Sequence, residues 1–316
     1  MRASLVASTL VVLAGLALAA STGAQEVRSV FAGADPFALF ADGRMWIYPT
    51  ERGDRLESWS SPDESHWTRQ ADLLKASDVR WIGADGASRH YLWAPDMLAA
   101  DGRYYLYYSV GPQDPTPSRL GVATCAGPAG PCVDSGKPLL TGGRQSAGGP
   151  FEAIDPMAFV DPRSGRRLLY AGGSAGSRLR LFELAPDMTS IARELPVDQP
   201  PLFTEGVFLH ERNGIYYLSW SHGRWNTAEY SVHYAMSASP TGPWKYRGAI
   251  LQSDARYKGP GHHAFVRDPA TGEWLIVYHR WEGKHGDGPY TDDRRIAIQP
   301  IHYDQDGQIA PVRMSD

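Results

Sequence analysis

The sequence predicts an all-β protein, and more specifically a single five-bladed β-propeller. Two observations favour this fold class. Glycine and proline are abundant, with 33 and 24 among 316 residues, which is typical of a chain with many turns and disfavours a helical bundle. The second observation is a segment plan that recurs five times along the chain. A β-sandwich also has many short strands, but it gives no reason for such a repeat.

Each of the five segments begins with a polar residue and continues as a short apolar strand, a glycine-containing turn and an aromatic-rich strand. That order is the signature of a β-hairpin. The leading polar residues, which are 61, 59, 50 and 57 residues apart, are Asp35, Asp96, Asp155, Glu205 and His262. A repeat of this length holds four strands and their loops, so residues 25–316 are expected to form one domain of five blades.

The N-terminal residues are expected to be a secretory signal peptide rather than part of the fold. Arg2 supplies a positive charge, an uncharged run from Leu5 to Ala20 follows it, and small residues come next. The apolar run is short for a membrane span, which needs about 20 residues. We therefore expect residues 1–24 to be removed, leaving a secreted or periplasmic protein that has no membrane anchor.

The composition indicates which partners and which cysteine chemistry to expect. The formal net charge of −4, with no basic block, argues against a nucleic-acid partner. Tyrosine and tryptophan, 16 and 10 against 9 phenylalanines, carry polar groups on their rings and suit sugar-binding clefts. Cys125 and Cys132, which are the only cysteines, flank a Gly/Pro-rich loop. In an oxidising compartment they are expected to form a local disulfide without a catalytic role.

The leading polar residues are the candidates for chemistry. The innermost strands of a propeller run along its axis, so the five leading positions converge on one pocket. A single Asp before Pro is ordinary turn chemistry. Four carboxyl groups and an imidazole at equivalent positions are, however, unfavourable together, because like charges repel in a partly dry cleft. A purely structural role does not require such a cluster. Glycoside hydrolysis does require two carboxyl groups, one to protonate the leaving oxygen and one to activate a water.

The five segments resemble those of glycoside hydrolase family 43. The similar blocks are Ala-Asp-Pro at 34–36, Trp-Ala-Pro-Asp at 93–96, Ile-Asp-Pro at 154–156, Thr-Glu-Gly at 204–206 and Gly-Pro-Gly-His-His at 259–263. The resemblance implies a five-bladed inverting enzyme that cleaves arabinose- or xylose-containing polysaccharides and needs no cofactor for its chemistry. It implies that Asp35 is the general base, that Glu205 is the general acid, and that Asp155 tunes and orients the acid.

The same resemblance implies further contacts. Asp96 is expected to line the pocket, and Arg295, a better match than Arg294, is expected to reach the substrate hydroxyls. His262 matches a histidine at the pocket floor that the family often associates with a bound cation, here calcium, or with its waters. The family often has Asn at the next position, where this chain has His263. Which histidine faces the axis, and whether calcium is held, are therefore left open.

Aromatic side chains and other histidines complete the set of candidates. Trp93 and Trp225 are candidate platforms on which a sugar stacks, with packing between blades as the alternative. Phe37 lies two residues after Asp35, so on a strand it points to the same face and is expected to wall the pocket. The remaining histidine candidates fit no compact zinc motif and are expected to be structural; they are His222, His279 and His285.

The sequence leaves the substrate open between α-L-arabinofuranosides and β-D-xylosides. An exo-acting enzyme on short oligosaccharides is favoured over an endo-acting arabinanase. The alternative from another class is a carbohydrate-binding propeller without catalysis. Retention of Asp35 and Glu205 as acids favours the enzyme.

Overall fold

The chain folds into five antiparallel β-sheets, each of four or five strands, which form the five blades of a propeller. The computed structural model describes residue 1 and residues 29–51, 53–143, 149–174, 176 and 178–315. The expected signal peptide thus lies, apart from Met1, outside the described residues. Within the described part, no helix is long and apolar enough to cross a membrane. The predicted fold class is confirmed.

The strands follow the chain blade by blade. Blade 1 consists of β2 (Ala34–Ala41), β3 (Arg44–Thr50), β4 (Arg55–Ser61) and β5 (Thr68–Lys75). Blade 2 consists of β6 (Tyr91–Ala100), β7 (Arg103–Gly111) and β8 (Arg119–Cys125), with β9 (Cys132–Asp134) and β10 (Leu140–Thr141) both paired to β8. Two short 3-10 helices, Ala76–Asp78 and Ile82–Asp85, join these blades.

The other three blades have four strands each. Blade 3 consists of β11 (Met157–Val160), β12 (Arg167–Ala171), β13 (Arg180–Leu184) and β14 (Ile191–Leu195). Blade 4 consists of β15 (Glu205–Arg212), β16 (Ile215–His222), β17 (Ser231–Ser237) and β18 (Lys245–Leu251). Blade 5 consists of β19 (Tyr257–Arg267), β20 (Trp274–Glu282) and β21 (Arg295–Ile301), and its outermost strand is β1 (Ser29–Ala32).

The innermost strands close a ring. They contact one another in the cycle β2, β6, β11, β15, β19 and back to β2. Because β1 precedes blade 1 in the chain yet pairs with β21 of blade 5, the two ends of the described chain are joined in one sheet. The ring is therefore held closed by backbone pairing as well as by side-chain packing.

The first hairpins of three blades turn on an Asp-Gly or Asn-Gly pair. Asp42-Gly43, Asp101-Gly102 and Asn213-Gly214 each make a two-residue connection, and both residues of each pair have positive φ. Two positive-φ residues are the mark of the type I′ turn, whose twist matches that of the flanking strands. These turns set the register in which the first strand of each hairpin presents its side chains.

The hydrophobic core lies between blades. Separate clusters join blades 1 and 2, blades 2 and 3, and blades 5 and 1, and a larger cluster spans blades 3, 4 and 5. Several tyrosines are fully buried here and donate their hydroxyls to neighbouring carbonyls, as Tyr48 does to Pro128 and Tyr107 to Met188. Much of the tyrosine content thus packs the blades rather than lining a cleft. The predicted Cys125–Cys132 disulfide is present.

Replacing Phe31 by Ala should destabilise the fold by weakening the closure of the ring. The Phe31 ring of β1 is buried and stacks on Trp59 of β4, with ring centroids 4.3 Å apart, so it ties blade 5 to blade 1. We expect the free energy of unfolding to fall by about 3 kcal/mol, measured by denaturant titration. Val133→Ala, at a side chain that is 73% exposed, is the control. Equal losses in the two variants would contradict this account.

Candidate active site

Four β-bulges in the innermost strands, and the matching position ahead of β11, build the site. In blades 1, 2, 4 and 5 the pairing of the first two strands shifts register at the same place, and the corresponding residue of blade 3 lies two positions before β11. The residues with positive φ at these places, called here the bulge residues, are Asp35 (45°), Ala94 (44°), Asp155 (54°), Gly206 (62°) and His262 (38°). Bulges re-aim side chains, and here they do so at one end of the central axis.

Each bulge residue donates its backbone N–H to a side chain of the preceding blade. The acceptors are His279 Nδ1 for Asp35 (3.1 Å), Thr50 Oγ1 for Ala94 (2.7 Å), Ser109 Oγ for Asp155 (2.9 Å), Asp155 Oδ2 for Gly206 (2.9 Å) and Ser221 Oγ for His262 (2.8 Å). A buried N–H needs such a partner, and a positive φ for a residue other than Gly persists only where the surroundings enforce it. The neighbouring blade thus holds each bulge residue in place.

The bulges correct the expected equivalence in two blades, since Glu205 precedes the bulge residue Gly206 by one position and Asp96 is also displaced. The residue of blade 2 that corresponds to Asp35 is Ala94, whereas Asp96 lies two residues further on and corresponds to Phe37. Asp96 is only 2% exposed and accepts the N–H of Ala158 at 3.0 Å, so it links blades 2 and 3 and does not line the cavity described below. Burial raises the pKa of Asp96 to about 8.

Phe37 also lies away from the lining of that cavity. Its ring is half-buried and packs against Tyr48 and Phe208, with ring centroids 6.4 and 6.2 Å away. The alternation along β2 does place Phe37 towards the axis, as the sequence suggests. The bulge at Asp35 separates the two side chains, however, and Phe37 contributes to the packing between blades.

The expected catalytic carboxyl groups meet in one cavity of about 440 Å³. Asp35, Asp155 and Glu205 all line it, together with His262 and Arg294. The remaining wall includes Thr50, Glu51, Tyr91, Trp93, Gln113, Ile154, Ser174 and Trp225. The three carboxyl groups and the imidazole that the sequence picks out are therefore brought together, as a sugar-sized pocket requires.

Asp35 is held as a carboxylate. Burial alone would raise its pKa, but the Arg294 guanidinium donates to Asp35 Oδ1 at 2.9 Å, and His262 and His279 lie 3.5 and 3.4 Å from that oxygen. The Arg294 contact and a hydrogen bond from Thr50 hold the pKa of Asp35 well below its usual range. The group is thus ionised throughout the physiological pH range.

The pKa values of Glu205 and Asp155 are shifted upwards. Burial raises the pKa of Glu205, and the charge of Asp35 raises it further against the hydrogen bond that Tyr230 donates to Oε1 at 2.8 Å. Burial also raises the pKa of Asp155, as do the charges of Glu205 and Asp35. Asp155 and Glu205 therefore titrate as a pair, which retains a proton at a pH where Asp35 has lost its own.

His262, rather than His263, faces the cavity. The His262 Nδ1 lies 3.5 Å from Asp35 and 3.7 Å from Asp155, so its ring stands between the two carboxyl groups. His263 is buried and pairs with Ser219 Oγ at 2.6 Å. Among the described residues, no group of three or more His, Cys, Asp or Glu side chains is arranged to hold a metal ion. Calcium near His262 stays a prediction.

Arg294, rather than Arg295, is the arginine of the site. Arg294 lines the cavity and lies over the ring of Trp225 at 4.8 Å as well as binding Asp35. Arg295 begins β21 opposite Ala32, and its side chain is not part of the lining. Successive strand residues point to opposite faces, so a choice between adjacent arginines depends on a register that the sequence does not display.

Two aromatic surfaces border the cavity. Trp225 is 42% exposed and is backed by Trp281 and Arg294, while Trp93 is stacked on Tyr91 with ring centroids 5.4 Å apart. Both tryptophans line the cavity, as sugar platforms would, although each also packs on neighbouring groups. Whether either contacts a sugar stays a prediction.

Comparison with known proteins agrees with this arrangement. A family model described as glycosyl hydrolases family 43 matches residues 29–309. The chain belongs to this family. The β-D-galactofuranosidase xynD of Aspergillus niger is 33% identical over 299 residues, covering 89% of this chain and 83% of its own.

Two further family members have names that include xylosidase activity. Xylosidase/arabinosidase 43A of Humicola insolens is 28% identical, with 87% of this chain and 95% of that protein covered. The crystal structure of a family 43 β-xylosidase/α-arabinofuranosidase from a compost microbial metagenome, in complex with xylotriose and in a calcium-free form, is 25% identical. It matches with a TM-score of 0.69 over 90% of this chain and 96% of its own. The family 43 chain described here is therefore a glycoside hydrolase, and hydrolysis by paired carboxyl groups needs no cofactor.

Several residues of the family 43 site escape the sequence patterns. Tyr230 and His279 lie beside the carboxyl groups, where Tyr230 donates to Glu205 and His279 accepts the backbone N–H of Asp35. One signal was available: Thr50, Ser109 and Ser221 each lie near the end of the aromatic-rich second strand of a repeat, opposite the bulge. A polar residue repeated there has a common task, and His279 occupies the matching place in the fifth repeat.

Replacing Arg294 by Met should shift the acidic limb of the pH profile of kcat/KM to higher pH. Without the guanidinium, burial dominates and the pKa of Asp35 rises, so the carboxylate is lost at a higher pH as the solution is acidified. A shift of about one pH unit or more is expected for loss of an opposite charge in contact. Arg295→Met should leave the limb in place. An unmoved limb in Arg294→Met would show that Arg294 does not set the ionisation of the base.

Proposed function

We propose that this enzyme removes terminal α-L-arabinofuranosyl or β-D-xylosyl units from plant cell-wall oligosaccharides, with inversion at the anomeric carbon. The observation that carries the proposal is that Asp35 and Glu205 line one cavity, in surroundings that push their pKa values in opposite directions. Paired acids separated in this way are the arrangement that acid–base hydrolysis of a glycoside needs. The names of the family members and the xylotriose complex of one of them support the choice of sugars.

In the proposed reaction Asp35 is the general base. Its carboxylate accepts a proton from a water, and the water oxygen forms a bond to the anomeric carbon on the face opposite the leaving group. Arg294 keeps this carboxylate ionised, and both Arg294 and His262 lie beside its Oδ1. Ionisation at the working pH is what a base needs.

Glu205 is the proposed general acid. As the bond from the anomeric carbon to the leaving oxygen breaks, Glu205 gives that oxygen its proton, so the base gains one proton and the acid loses one. Tyr230, which donates to Oε1, and the backbone N–H of Ser174, 3.3 Å from Oε2, fix the carboxyl group in either protonation state. They also stabilise the carboxylate that the transfer leaves behind.

Asp155 is proposed to orient the acid through the backbone. Its Oδ2 accepts the N–H of Gly206, the residue that follows Glu205. Proton sharing between Asp155 and Glu205 then keeps the acid loaded before the reaction. Both effects act through contacts within the pocket and need no further group.

A second candidate substrate is a β-D-galactofuranoside. The relative of highest identity given above carries that name. β-D-Galactofuranose has the ring configuration of α-L-arabinofuranose and differs by one additional exocyclic carbon with its hydroxyl. A pocket that accepts one sugar therefore needs only extra room beside the ring to accept the other.

We also propose that the protein acts outside the cytoplasm, as a secreted or periplasmic enzyme. The apolar N-terminal run and the Cys125–Cys132 disulfide support this location, because disulfides persist in oxidising compartments. Polymeric plant cell-wall substrates are also met outside the cell.

Asp35→Asn and Glu205→Gln should each lower kcat by a factor of about 10²–10⁴ on natural linkages without unfolding the protein. The two losses should differ with the leaving group. The dinitrophenolate of a dinitrophenyl glycoside leaves without being protonated. Glu205→Gln should therefore recover much of its activity on that substrate, and Asp35→Asn should not. Proton NMR of the first product should show the inverted anomer in the wild type. Retention of configuration, or full activity of either variant on oligosaccharides, would contradict the assigned roles.

A substrate panel decides the sugar and the mode of action. We expect hydrolysis of aryl α-L-arabinofuranoside or aryl β-D-xyloside, and single sugars should be the first products from xylotriose or arabino-oligosaccharides. Aryl β-D-galactofuranoside tests the second candidate in the same assay. Larger first products from long arabinan chains would favour an endo-acting arabinanase instead. Glu205→Gln, assayed in parallel on the unactivated oligosaccharides, is the control for contaminating glycosidases.

A further inference from the structure

The acceptor that holds Asp35 differs from those of the other blades. Three bulge residues donate their N–H to a hydroxyl of the preceding blade, from Thr50, Ser109 or Ser221. Blade 5 supplies an imidazole to Asp35 instead, and it does so from the matching place, since His279 stands opposite Gly261 as Ser221 stands opposite Glu205. The remaining bulge residue, Gly206, donates to the carboxylate of Asp155, so the imidazole acceptor is found only in the blade that positions the proposed base.

The His279 ring touches both parts of Asp35. Its Nδ1 lies 3.1 Å from the backbone nitrogen and 3.4 Å from Oδ1 of the carboxylate. The ring has no exposed surface, and it lies parallel to Tyr230 at 5.7 Å between ring centroids. Because Tyr230 donates to Glu205, a single stack of two rings connects the groups that hold the base and the acid.

The protonation of the ring shows what it is placed to do. Nδ1 accepts the N–H of Asp35, so in the neutral ring the proton is on Nε2. Burial keeps the pKa of His279 below its usual range, so the neutral form is the one present. The buried Nε2 has no hydrogen-bond partner among the described residues. An unpaired buried N–H is unfavourable, and a serine at this place would satisfy the same backbone N–H without creating one.

We propose that His279 is a positioning residue for the general base, and that its Nδ1 holds the Asp35 bulge so that the carboxylate points at the reacting water. The inference rests on the proposed role of Asp35. Arg294 supplies the charge that keeps Asp35 ionised, whereas the uncharged His279 supplies geometry, by fixing the backbone on one side and packing on Tyr230 on the other. A small displacement of a reacting group lowers the rate steeply while affecting substrate binding far less.

The test compares His279→Asn with His279→Leu. The Asn side-chain oxygen can take the place of Nδ1 as acceptor, whereas Leu has a similar size and no acceptor. We expect His279→Leu to lower kcat at least about tenfold with little change in KM, and His279→Asn to recover most of that loss. Should the Leu variant fail to fold, His279→Ala takes its place in the same comparison with Asn.

His210→Leu is the matched control for loss of a buried histidine. His210 is 4% exposed, stacks on Tyr217 and pairs with Tyr303, away from the cavity lining. It should lower the melting temperature and leave kcat unchanged. Equal kcat values for the Asn and Leu variants of His279, whether both low or both normal, would overturn the inference. If the inference fails while Asp35→Asn is inactive, the proposed function stands without it. If Asp35→Asn is active, Asp35 is not the general base and the proposed function fails.

Discussion

The hydrogen bond that each bulge residue donates to the preceding blade is the interaction on which the site depends. Four of the five bulge residues hold positive φ with a side chain in place, a conformation that costs of order 1–3 kcal/mol at each position. The conformation persists because the neighbouring blade accepts the N–H. Since every such bond crosses from one blade to the next, closure of the ring and alignment of the catalytic groups are the same structural event. The pairing of β1 with β21 therefore supports the site from a distance.

The charges of the pocket follow from what stands beside each carboxyl group. All three are buried, which by itself raises the pKa of each. Arg294 reverses that outcome for Asp35 alone, because it binds this carboxylate directly. The resulting negative charge then raises the pKa values of Asp155 and Glu205 further. The position of one arginine thus makes the pKa of Asp35 differ from those of Asp155 and Glu205, although all three are carboxyl groups.

The fold and the three carboxyl groups could be predicted because the same order of polar residue, strand, glycine-containing turn and strand recurs in each repeat. Asp-Gly and Asn-Gly pairs mark the hairpins, and the polar residue ahead of each strand marks the axis. The expectation fails where the outcome depends on one residue of register. Asp96 is expected at the position that Ala94 occupies, because a bulge leaves no trace in the alternation of polar and apolar residues. Arg295 is expected where Arg294 lies, because adjacent strand residues point to opposite faces and the sequence does not show which one faces the pocket. His279 escapes because a lone buried histidine gives no sign of its partner.

The acid lies in the blade whose bulge residue is a glycine. In blade 4 the bulge residue is Gly206, which has no side chain to offer the axis, and the residue before it, Glu205, reaches the cavity instead. Room for Glu205 exists because blade 3 has Gly173, where a Cβ atom would lie 2.9 Å from the Glu205 Cβ. Blade 3 also ends its second strand without a hydroxyl to receive the Gly206 N–H, and Asp155 accepts it. The carboxyl group that shares a proton with the acid is therefore also the one that accepts a hydrogen bond from the residue next to the acid.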